Sequence, residues 1–205
     1  MAKPPGTLLI ATNNAGKLRE YQLLLRGVPF TLVSPKQARA APEVEETGKT
    51  FEENARLKSY AFARASGLLT LADDSGLEVD ALGGEPGVMS RRFAGDSASD
   101  ADRIRFLLSK LAGVPPDERT ARFRCVIAIA WPDGRVETCN GECEGMIALG
   151  PRGKNGFGYD PVFFVPELGK TMAELPAEVK NRISHRARAA VKAREILMRI
   201  AREGR

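Results

Sequence analysis

Three pairs of adjacent carboxylates are the residues of this sequence best suited to metal or proton-transfer chemistry: Glu45-Glu46, Glu52-Glu53 and Asp73-Asp74. Carboxylates that converge from separate segments suit Mg²⁺ bound to a polyphosphate, because Mg²⁺ keeps several waters and takes few protein ligands. Each pair also has a structural explanation, since the first fits an exposed loop, the second a helix-capping box and the third a turn. The pair Asp73-Asp74 directly follows a strand-like apolar run, so we favour it as part of a site at a sheet edge.

A second candidate is the polar segment Thr12-Asn13-Asn14-Ala15-Gly16-Lys17, which lies between the first predicted strand and the first predicted helix. Helix N-termini present backbone N–H groups and a partial positive charge, which suit a phosphate group, and Lys17 would add a full charge. The segment is not a Walker A loop, because Leu18 follows the lysine where that motif has Ser or Thr. The alternative is an asparagine-rich turn and helix cap.

A third candidate is the glycine-rich segment Gly153-Lys154-Asn155-Gly156-Phe157-Gly158-Tyr159-Asp160-Pro161. Glycines around an aromatic ring allow the backbone to approach a flat ligand that stacks on that ring. The spacing of the glycines does not match a dinucleotide-binding fingerprint. An ordinary loop in which Phe157 fills the core is the alternative.

The fourth candidate is Lys180-Asn181-Arg182-Ile183-Ser184-His185-Arg186. If Ser184 caps a helix, His185 and Arg186 lie in its first turn, where the helix dipole disfavours cations. A nearby anion or ligand acceptor would explain them, although a lone histidine is more often structural or exposed. A Ser-His-Asp hydrolase fits poorly, because Ser75 lies in Asp-Ser-Gly without a nucleophile elbow.

The elements that would position these residues follow from the periodicity of apolar residues, and together they predict a mixed α/β sheet. Strands are predicted at 7–11, 30–33, 68–72, 77–79, 121–131, 135–146 and 162–165. Helices are predicted to begin near residues 15, 50, 99 and 184. The segment Asp73-Asp74-Ser75-Gly76 is predicted to be a turn between two strands.

Composition narrows the function classes further. The 205 residues include one histidine and three cysteines, so a histidine-rich zinc or copper site is excluded and a metal would need carboxylate oxygens. The cysteines predict reduced structural thiols. The sequence shows neither a signal peptide nor a membrane span, so we expect a soluble cytoplasmic protein of one domain over residues 1–205. The net charge of +5 suggests that the partner is a nucleic acid or an anionic small molecule.

Taken together and in this order, the motifs resemble the inosine/xanthosine triphosphate pyrophosphatase family, whose members hydrolyse non-standard purine nucleoside triphosphates. The resemblance covers nearly the whole chain and departs from the family at no position used for chemistry. The matching segments are residues 11–17, 45–48, 51–55 with Lys58, 72–77, 83–87, 156–161 and 184–186.

The resemblance implies a strongly bent mixed sheet flanked by helices, two lobes with an active-site cleft, and a homodimer that depends on Mg²⁺. It implies that ITP, dITP and XTP are cleaved between the α- and β-phosphates to give a monophosphate and pyrophosphate. Asp74 corresponds to the proton acceptor and a metal ligand, and Glu45 to the other metal ligand. The implied substrate-binding residues are Thr12, Asn13, Asn14, Ala15, Gly16, Lys17, Lys58, Ser75, Phe157, Gly158, Tyr159, Asp160, Lys180, His185 and Arg186.

The runner-up is a nucleic-acid-binding module that uses the basic C-terminal helix, with salt-dependent binding and no turnover. Residues 180–205 hold nine basic and two acidic residues, so the positive excess of the chain lies there. The helix has no interleaved aromatic residues and no DNA-reading motif, and we therefore expect no nucleic-acid partner. A third possibility is a related pyrophosphatase with a different base preference. Only activity measurements on a panel of nucleotides distinguish it from an enzyme that acts on ITP, dITP and XTP.

Overall fold

Short apolar runs of the sequence form one mixed sheet of seven strands in a computed structural model that describes residues 6–203. The strands are β1 (Gly6–Ile10), β2 (Phe30–Val33), β3 (Leu69–Val79), β4 (Thr120–Ala130), β5 (Val136–Ile147), β6 (Phe163–Val165) and β7 (Lys170–Thr171). Their order in the sheet is β2-β1-β3-β4-β5-β6-β7. β1 is parallel to β2 and β3, whereas β6 is antiparallel to β5 and β7, which confirms the mixed α/β fold.

Five α-helices accompany the sheet in the described part of the chain: α1 (Ala15–Leu24), α2 (Phe51–Ser66), α3 (Asp100–Lys110), α4 (Ala177–Ile183) and α5 (His185–Glu203). Side-chain caps begin three of them, and those near residues 50 and 99 were predicted. The side-chain oxygens of Asn14, Thr50 and Ser99 accept backbone N–H groups in the first turns of α1, α2 and α3. α2 ends at Gly67, whose φ of 68° is the left-handed conformation that glycine adopts without steric cost.

The chain divides into two units, each built from separated segments. Unit 1 comprises residues 6–74, 125–141 and 187–203 of the described chain, and its larger core packs β1, β3 and β4 residues against Tyr21 of α1 and Leu197 of α5. Unit 2 comprises residues 75–124 and 142–186, and its core gathers residues of α3, β4, β5 and β6 around Phe123 and Phe163. The division between the units falls inside β3, after Asp74. The expectation of a single domain over 1–205 stays a prediction.

The turn predicted at Asp73-Asp74-Ser75-Gly76 is wrong, because β3 continues through these residues without a break. β1 ends opposite Leu71, so β4 is the neighbour that continues beside β3, and this tertiary pairing overrides the local turn preference of Asp, Ser and Gly. The strand β7 and the helix α4 were not predicted, because Lys170–Thr171 and Ala177–Ile183 are too short to show a period.

Two other expectations concern the state of the cysteines and the presence of membrane-spanning helices. Cys125, Cys139 and Cys143 are free thiols, as expected. Among residues 6–203, no helix has the length and apolar character that crossing a bilayer requires.

Candidate functional site

β3 holds two adjacent carboxylates in the interior of unit 1. Asp73 is 2% exposed and Asp74 is 7% exposed. Neighbouring residues of a strand point to opposite faces of the sheet, so Asp73 shares the face of Leu71 and Asp74 shares the face of Ala72. β1 ends at Ile10 opposite Leu71, and β3 therefore extends past the end of its neighbour, which leaves room for polar groups.

On the Asp73 face, the N-terminus of α1 brings in a lysine. Asn14 Oδ1 accepts the Lys17 N–H at 3.0 Å, and the Asn14 N–H donates to Thr12 Oγ1 at 3.2 Å, so the asparagine turn and helix cap that the sequence offered as the alternative is present. Lys17 Nζ then lies 3.0 Å from Asp73 Oδ2. The amides of Ala15 and Gly16, at the first two helical positions, have no acceptor four residues back within the helix. The turn therefore combines an anion-binding helix end with a fixed ammonium group.

A second lysine reaches the same carboxylate pair from α2. Lys58 Nζ donates to the backbone oxygen of Asp73 at 3.2 Å and forms an ion pair with Glu46. Both lysine side chains are largely buried, at 15% exposure for Lys17 and 16% for Lys58. We call Lys17, Glu46, Lys58, Asp73 and Asp74 the Asp74 cluster.

The electrostatics of the Asp74 cluster follow from this burial. Burial raises the pKa of Asp74 above its ordinary value, while Lys17 and Lys58 oppose the shift. The nearby charge of Glu46 raises the Asp74 pKa further, and a hydrogen bond from Asn54 lowers it. For Lys58, burial opposes the protonated form, but Glu46 and Asp73 outweigh it and raise the pKa. The cluster thus holds the buried Asp74 carboxylate together with two cations, Lys17 and Lys58, and two further carboxylates, Asp73 and Glu46.

The donor set around Asp74 fits Mg²⁺ that is shared with a polyphosphate. Within residues 6–203, no group of three or more His, Cys, Asp or Glu side chains converges as a metal cage. Mg²⁺ commonly takes only one or two carboxylates and completes its shell with water and phosphate oxygens. The buried Asp74 carboxylate, with Glu46 close enough to perturb it, meets that requirement. Glu45, the predicted second ligand, is exposed, and its role stays a prediction.

Unit 2 holds a second set of charged residues, centred on an aromatic ring. Asp160 and Lys180 form an ion pair whose side chains are 4% and 7% exposed. Asp160 Oδ2 also accepts the Phe157 N–H at 2.9 Å, and Lys180 Nζ lies 4.9 Å from the centre of the Phe157 ring. Lys180 comes from the last turn of α4, the helix that the sequence did not predict.

Arg186 approaches the same ring from the first turn of α5. Its guanidinium carbon lies 5.6 Å from the Phe157 ring centre, and its Nη2 donates to Ser75 Oγ at 2.9 Å. The His185 ring stacks on Phe123, with the ring centres 4.7 Å apart and the planes 20° apart. We call Ser75, Phe157, Asp160, Lys180 and Arg186 the Phe157 cluster.

The loop that carries Phe157 is held in place by contacts within unit 2. A Cβ on Gly156, where φ is +78°, would lie 1.9 Å from Asp160 Oδ2, so only glycine fits. The Gly158 N–H donates to Asp100 Oδ2 at 2.7 Å. The Tyr159 hydroxyl donates to Ser90 O at 2.9 Å, and burial raises its pKa, which keeps it neutral as a donor. The ring is therefore presented by a fixed backbone.

The structure brings many of the predicted residues together within each unit. Lys17, Lys58 and Asp74 share the Asp74 cluster, and Phe157, Asp160, Lys180 and Arg186 share the Phe157 cluster. Ser75, predicted beside the triphosphate, bonds to Arg186 and belongs to the second cluster. Asn13 and Tyr159 are among the predicted residues that lie outside both clusters. Asn13 is exposed, and the buried Tyr159 hydroxyl donates to Ser90 O instead of to a residue of the Phe157 cluster.

Sequence reasoning did not predict the partners of three buried or ion-paired residues. Asp73 pairs with Lys17, Glu46 pairs with Lys58, and Asn54 donates to Asp74 Oδ2 at 3.2 Å. A signal for Asn54 was present, because an amide on the buried face of α2 requires polar partners in the core.

Comparison with known proteins gives relatives along almost the whole chain. A model of the Ham1 family matches residues 8–196. A dITP/XTP pyrophosphatase from Geobacter sulfurreducens is 57% identical over 182 residues, which are 89% of this chain and 92% of that protein. One from Bacillus subtilis is 47% identical over 189 residues, which are 92% of this chain and 96% of that protein.

Solved structures agree with these relatives in fold. A HAM1 protein from Coxiella burnetii superposes with a TM-score of 0.86 at 44% identity, covering 94% of this chain and 98% of that one. A nucleoside-triphosphatase / dITP/XTP pyrophosphatase from Mycobacterium abscessus gives a TM-score of 0.73 at 40% identity, covering 91% of this chain and 98% of that one.

Proposed function

This chain belongs to the Ham1 family, and we propose that it hydrolyses the non-standard purine nucleoside triphosphates dITP, ITP and XTP to the monophosphate and pyrophosphate. The relatives named dITP/XTP pyrophosphatase, at 47% and 57% identity over most of both chains, support this activity. The observation that carries the proposal is the Asp74 cluster, in which a buried carboxylate lies beside two lysines. Removal of such purines from the nucleotide pool is the corresponding cellular role.

In the proposed reaction, Asp74 orients a water molecule and accepts its proton as the water attacks the α-phosphorus. Burial raises the pKa of Asp74, and the two flanking lysines oppose that shift and so favour the ionised form that can accept a proton. A positioned general base contributes about 10²- to 10⁴-fold in rate.

The triphosphate would be held by Lys17, Lys58 and the turn from Thr12 to Gly16. The lysines are already fixed by Asp73 and Glu46, so little side-chain entropy is lost when they bind phosphate oxygens. Asp74 and Glu45 would hold the Mg²⁺ ion, which when bound neutralises charge that develops on the phosphate oxygens.

We assign recognition of the base to the Phe157 cluster. The Phe157 ring offers a face on which a purine can stack, and Arg186 and Lys180 provide N–H donors around it. Hypoxanthine and xanthine carry an acceptor at position 6, where adenine carries an amino group. A protein N–H donor that faces position 6 would lack an acceptor when adenine is bound, and the cost of that unpaired donor favours hypoxanthine and xanthine over adenine. His185, stacked on Phe123, is a third proposed donor.

No specific observation favours the nucleic-acid-binding alternative. Part of the positive charge of α5 is used within unit 1, since Arg199 forms an ion pair with Glu137 and Arg194 donates to the backbone oxygens of Leu24 and Arg26. We therefore keep the prediction that nucleic acid is not a partner, which a salt-dependent mobility shift with DNA or RNA would contradict.

We also propose that the protein is a cytoplasmic homodimer. Light scattering coupled to size-exclusion chromatography should give twice the monomer mass, and the monomer mass would refute the dimer. Fractionation of the source cells should place the protein with cytoplasmic markers, and recovery with membranes would refute that assignment.

The experiment for the proposed function incubates the protein with Mg²⁺ and each of dITP, XTP, ITP, ATP and GTP. Pyrophosphate and orthophosphate are then quantified separately. We expect pyrophosphate from the first three substrates and much slower turnover of ATP and GTP. Orthophosphate as the first product, or equal rates on ATP, would refute the proposal. A matched pair of variants separates the site from the surface: Asp74→Asn should lower turnover by at least about 10²-fold, whereas Asp133→Asn, on the exposed β4–β5 turn, should leave it unchanged.

A further inference from the structure

One buried amide side chain on α2 contacts both a strand carboxylate and the loop before the helix. Asn54 is 2% exposed. Its Oδ1 accepts the Gly48 N–H at 2.8 Å, and its Nδ2 donates to Gly48 O at 3.3 Å and to Asp74 Oδ2 at 3.2 Å. All three partners lie in unit 1.

The chemistry of the partners fixes the orientation of this amide. The Gly48 N–H can only donate and an ionised Asp74 carboxylate can only accept, so the amide oxygen must face Gly48 and the amide nitrogen must face Asp74. An aspartate at position 54 could accept from Gly48 but could not donate to Asp74. A small or apolar side chain could do neither.

The loop backbone lies directly against the first turn of α2. A Cβ on Gly48 would come within 2.6 Å of Glu53 Cβ and 2.7 Å of Asn54 Oδ1, so position 48 admits no side chain without movement. The following residue is also held, because the Lys49 N–H donates to Glu53 Oε2 at 2.6 Å. Residues 48 and 49 therefore have a fixed position on the helix.

The adjacent glutamates, Glu45 and Glu46, lie next to this fixed segment of the chain. Glu46 lies two residues before Gly48 and forms its ion pair with Lys58, one turn of α2 beyond Asn54. The Asn54 side chain thus connects Asp74 to Gly48, and through Gly48 to the Glu45-Glu46 segment.

We propose that Asn54 is a positioning residue that sets the spacing between the Glu45-Glu46 segment and the Asp74 carboxylate. This inference rests on the proposed pyrophosphatase function. Asn54 acts through Asp74 and the loop, so its removal should impair the chemical step more than the binding of nucleotide. Loss of a residue that orients a metal-ligating side chain, the role proposed for Asp74, typically costs about 10- to 100-fold in metal affinity or activity.

The test compares Asn54→Ala and Asn54→Asp with the unmodified protein and with Ser59→Ala. Ser59 is a matched control, because it is also buried on α2 and its hydroxyl bonds only to Arg56 O among its described partners, at 3.1 Å. Thermal unfolding identifies the variants that are folded. For each of these, kcat and KM for dITP are measured with Mg²⁺, and the dissociation constant of dITP is measured calorimetrically in EDTA.

We expect kcat to fall about 10- to 100-fold in both Asn54 variants, with the dITP dissociation constant in EDTA changed by less than about threefold. Asn54→Asp preserves the side-chain volume, so it decides the matter if Asn54→Ala does not fold. A folded Asn54 variant with the kcat of the unmodified protein overturns the inference, and so does a loss confined to nucleotide binding. If the unmodified protein releases no pyrophosphate from dITP, the proposed function fails and the inference falls with it.

Discussion

We expect the buried ion pair between Asp160 and Lys180 to contribute measurably to the free energy of unfolding. Both side chains are less than one-tenth exposed, so the variant Lys180→Met removes the cation of a buried ion pair while keeping an apolar stem beside Phe157. Removal of one partner of a buried pair costs about 3 to 5 kcal/mol of unfolding free energy. We expect the lower end of this range, because the Phe157 N–H still donates to Asp160 at 2.9 Å.

A second substitution isolates the charge from the packing. Asp160→Asn in the Lys180→Met background removes the buried negative charge while keeping an oxygen for the Phe157 N–H. The double variant should therefore be more stable than Lys180→Met alone by at least about 1 kcal/mol, a coupling typical of residues in contact.

The assay is urea-induced unfolding followed by far-UV circular dichroism at pH 7, at low salt and at 0.5 M salt. The destabilisation should be nearly the same at both salt concentrations, because salt screens buried pairs much less than exposed ones. A loss below about 1 kcal/mol for Lys180→Met would place the pair in the class of exposed salt bridges. That result, or a double variant less stable than the single one, would refute the reasoning.

Three further predictions concern catalysis and the thiols. Asp74→Asn should lower kcat for dITP by at least about 10²-fold, because the proton acceptor is lost, while the circular dichroism spectrum stays unchanged; residual activity near that of the unmodified protein would remove Asp74 from the mechanism. Chelation by EDTA should stop pyrophosphate release, and added Mg²⁺ should restore it; full turnover in EDTA would contradict the metal assignment. Burial raises the pKa of Cys139 to about 11, and since the thiolate is the reactive form, alkylation by iodoacetamide should keep accelerating from pH 8 to pH 10. Peptide mapping by mass spectrometry would follow this rate, and a plateau near pH 9 would indicate an ordinary thiol.

Local patterns predicted the elements with strong periodicity or capping signals. The strand at 30–33 and the helix that ends at Ser66 were predicted with the observed bounds. Thr50 and Gly67 mark the ends of that helix by interactions within one or two turns, which is why sequence reasoning found them. β3 was divided wrongly, because the pairing that keeps Asp73–Gly76 extended comes from strands far away in the chain.

The candidate site shows the same difference between local and distant causes. The asparagine cap of α1 and the fixed position of Lys17 on the helix follow from the segment itself. The partner of Lys17 does not, because Asp73 lies on strand β3, more than fifty residues away in the chain. Asn54 was part of a recognised motif, but its contacts with Gly48 and Asp74 depend on how the loop lies against α2.

The sequence by itself determined the kinds of group available: carboxylates for a proton and Mg²⁺, lysines and a helix end for phosphate, and an aromatic ring flanked by cations for a base. Residue type and short-range spacing carry that information, because they set charge, hydrogen-bonding capacity and helix caps. Only the tertiary structure decided which carboxylate is buried beside which cation. Burial and the distances between segments set the pKa of Asp74, and both arise only when β3, α1 and α2 pack together.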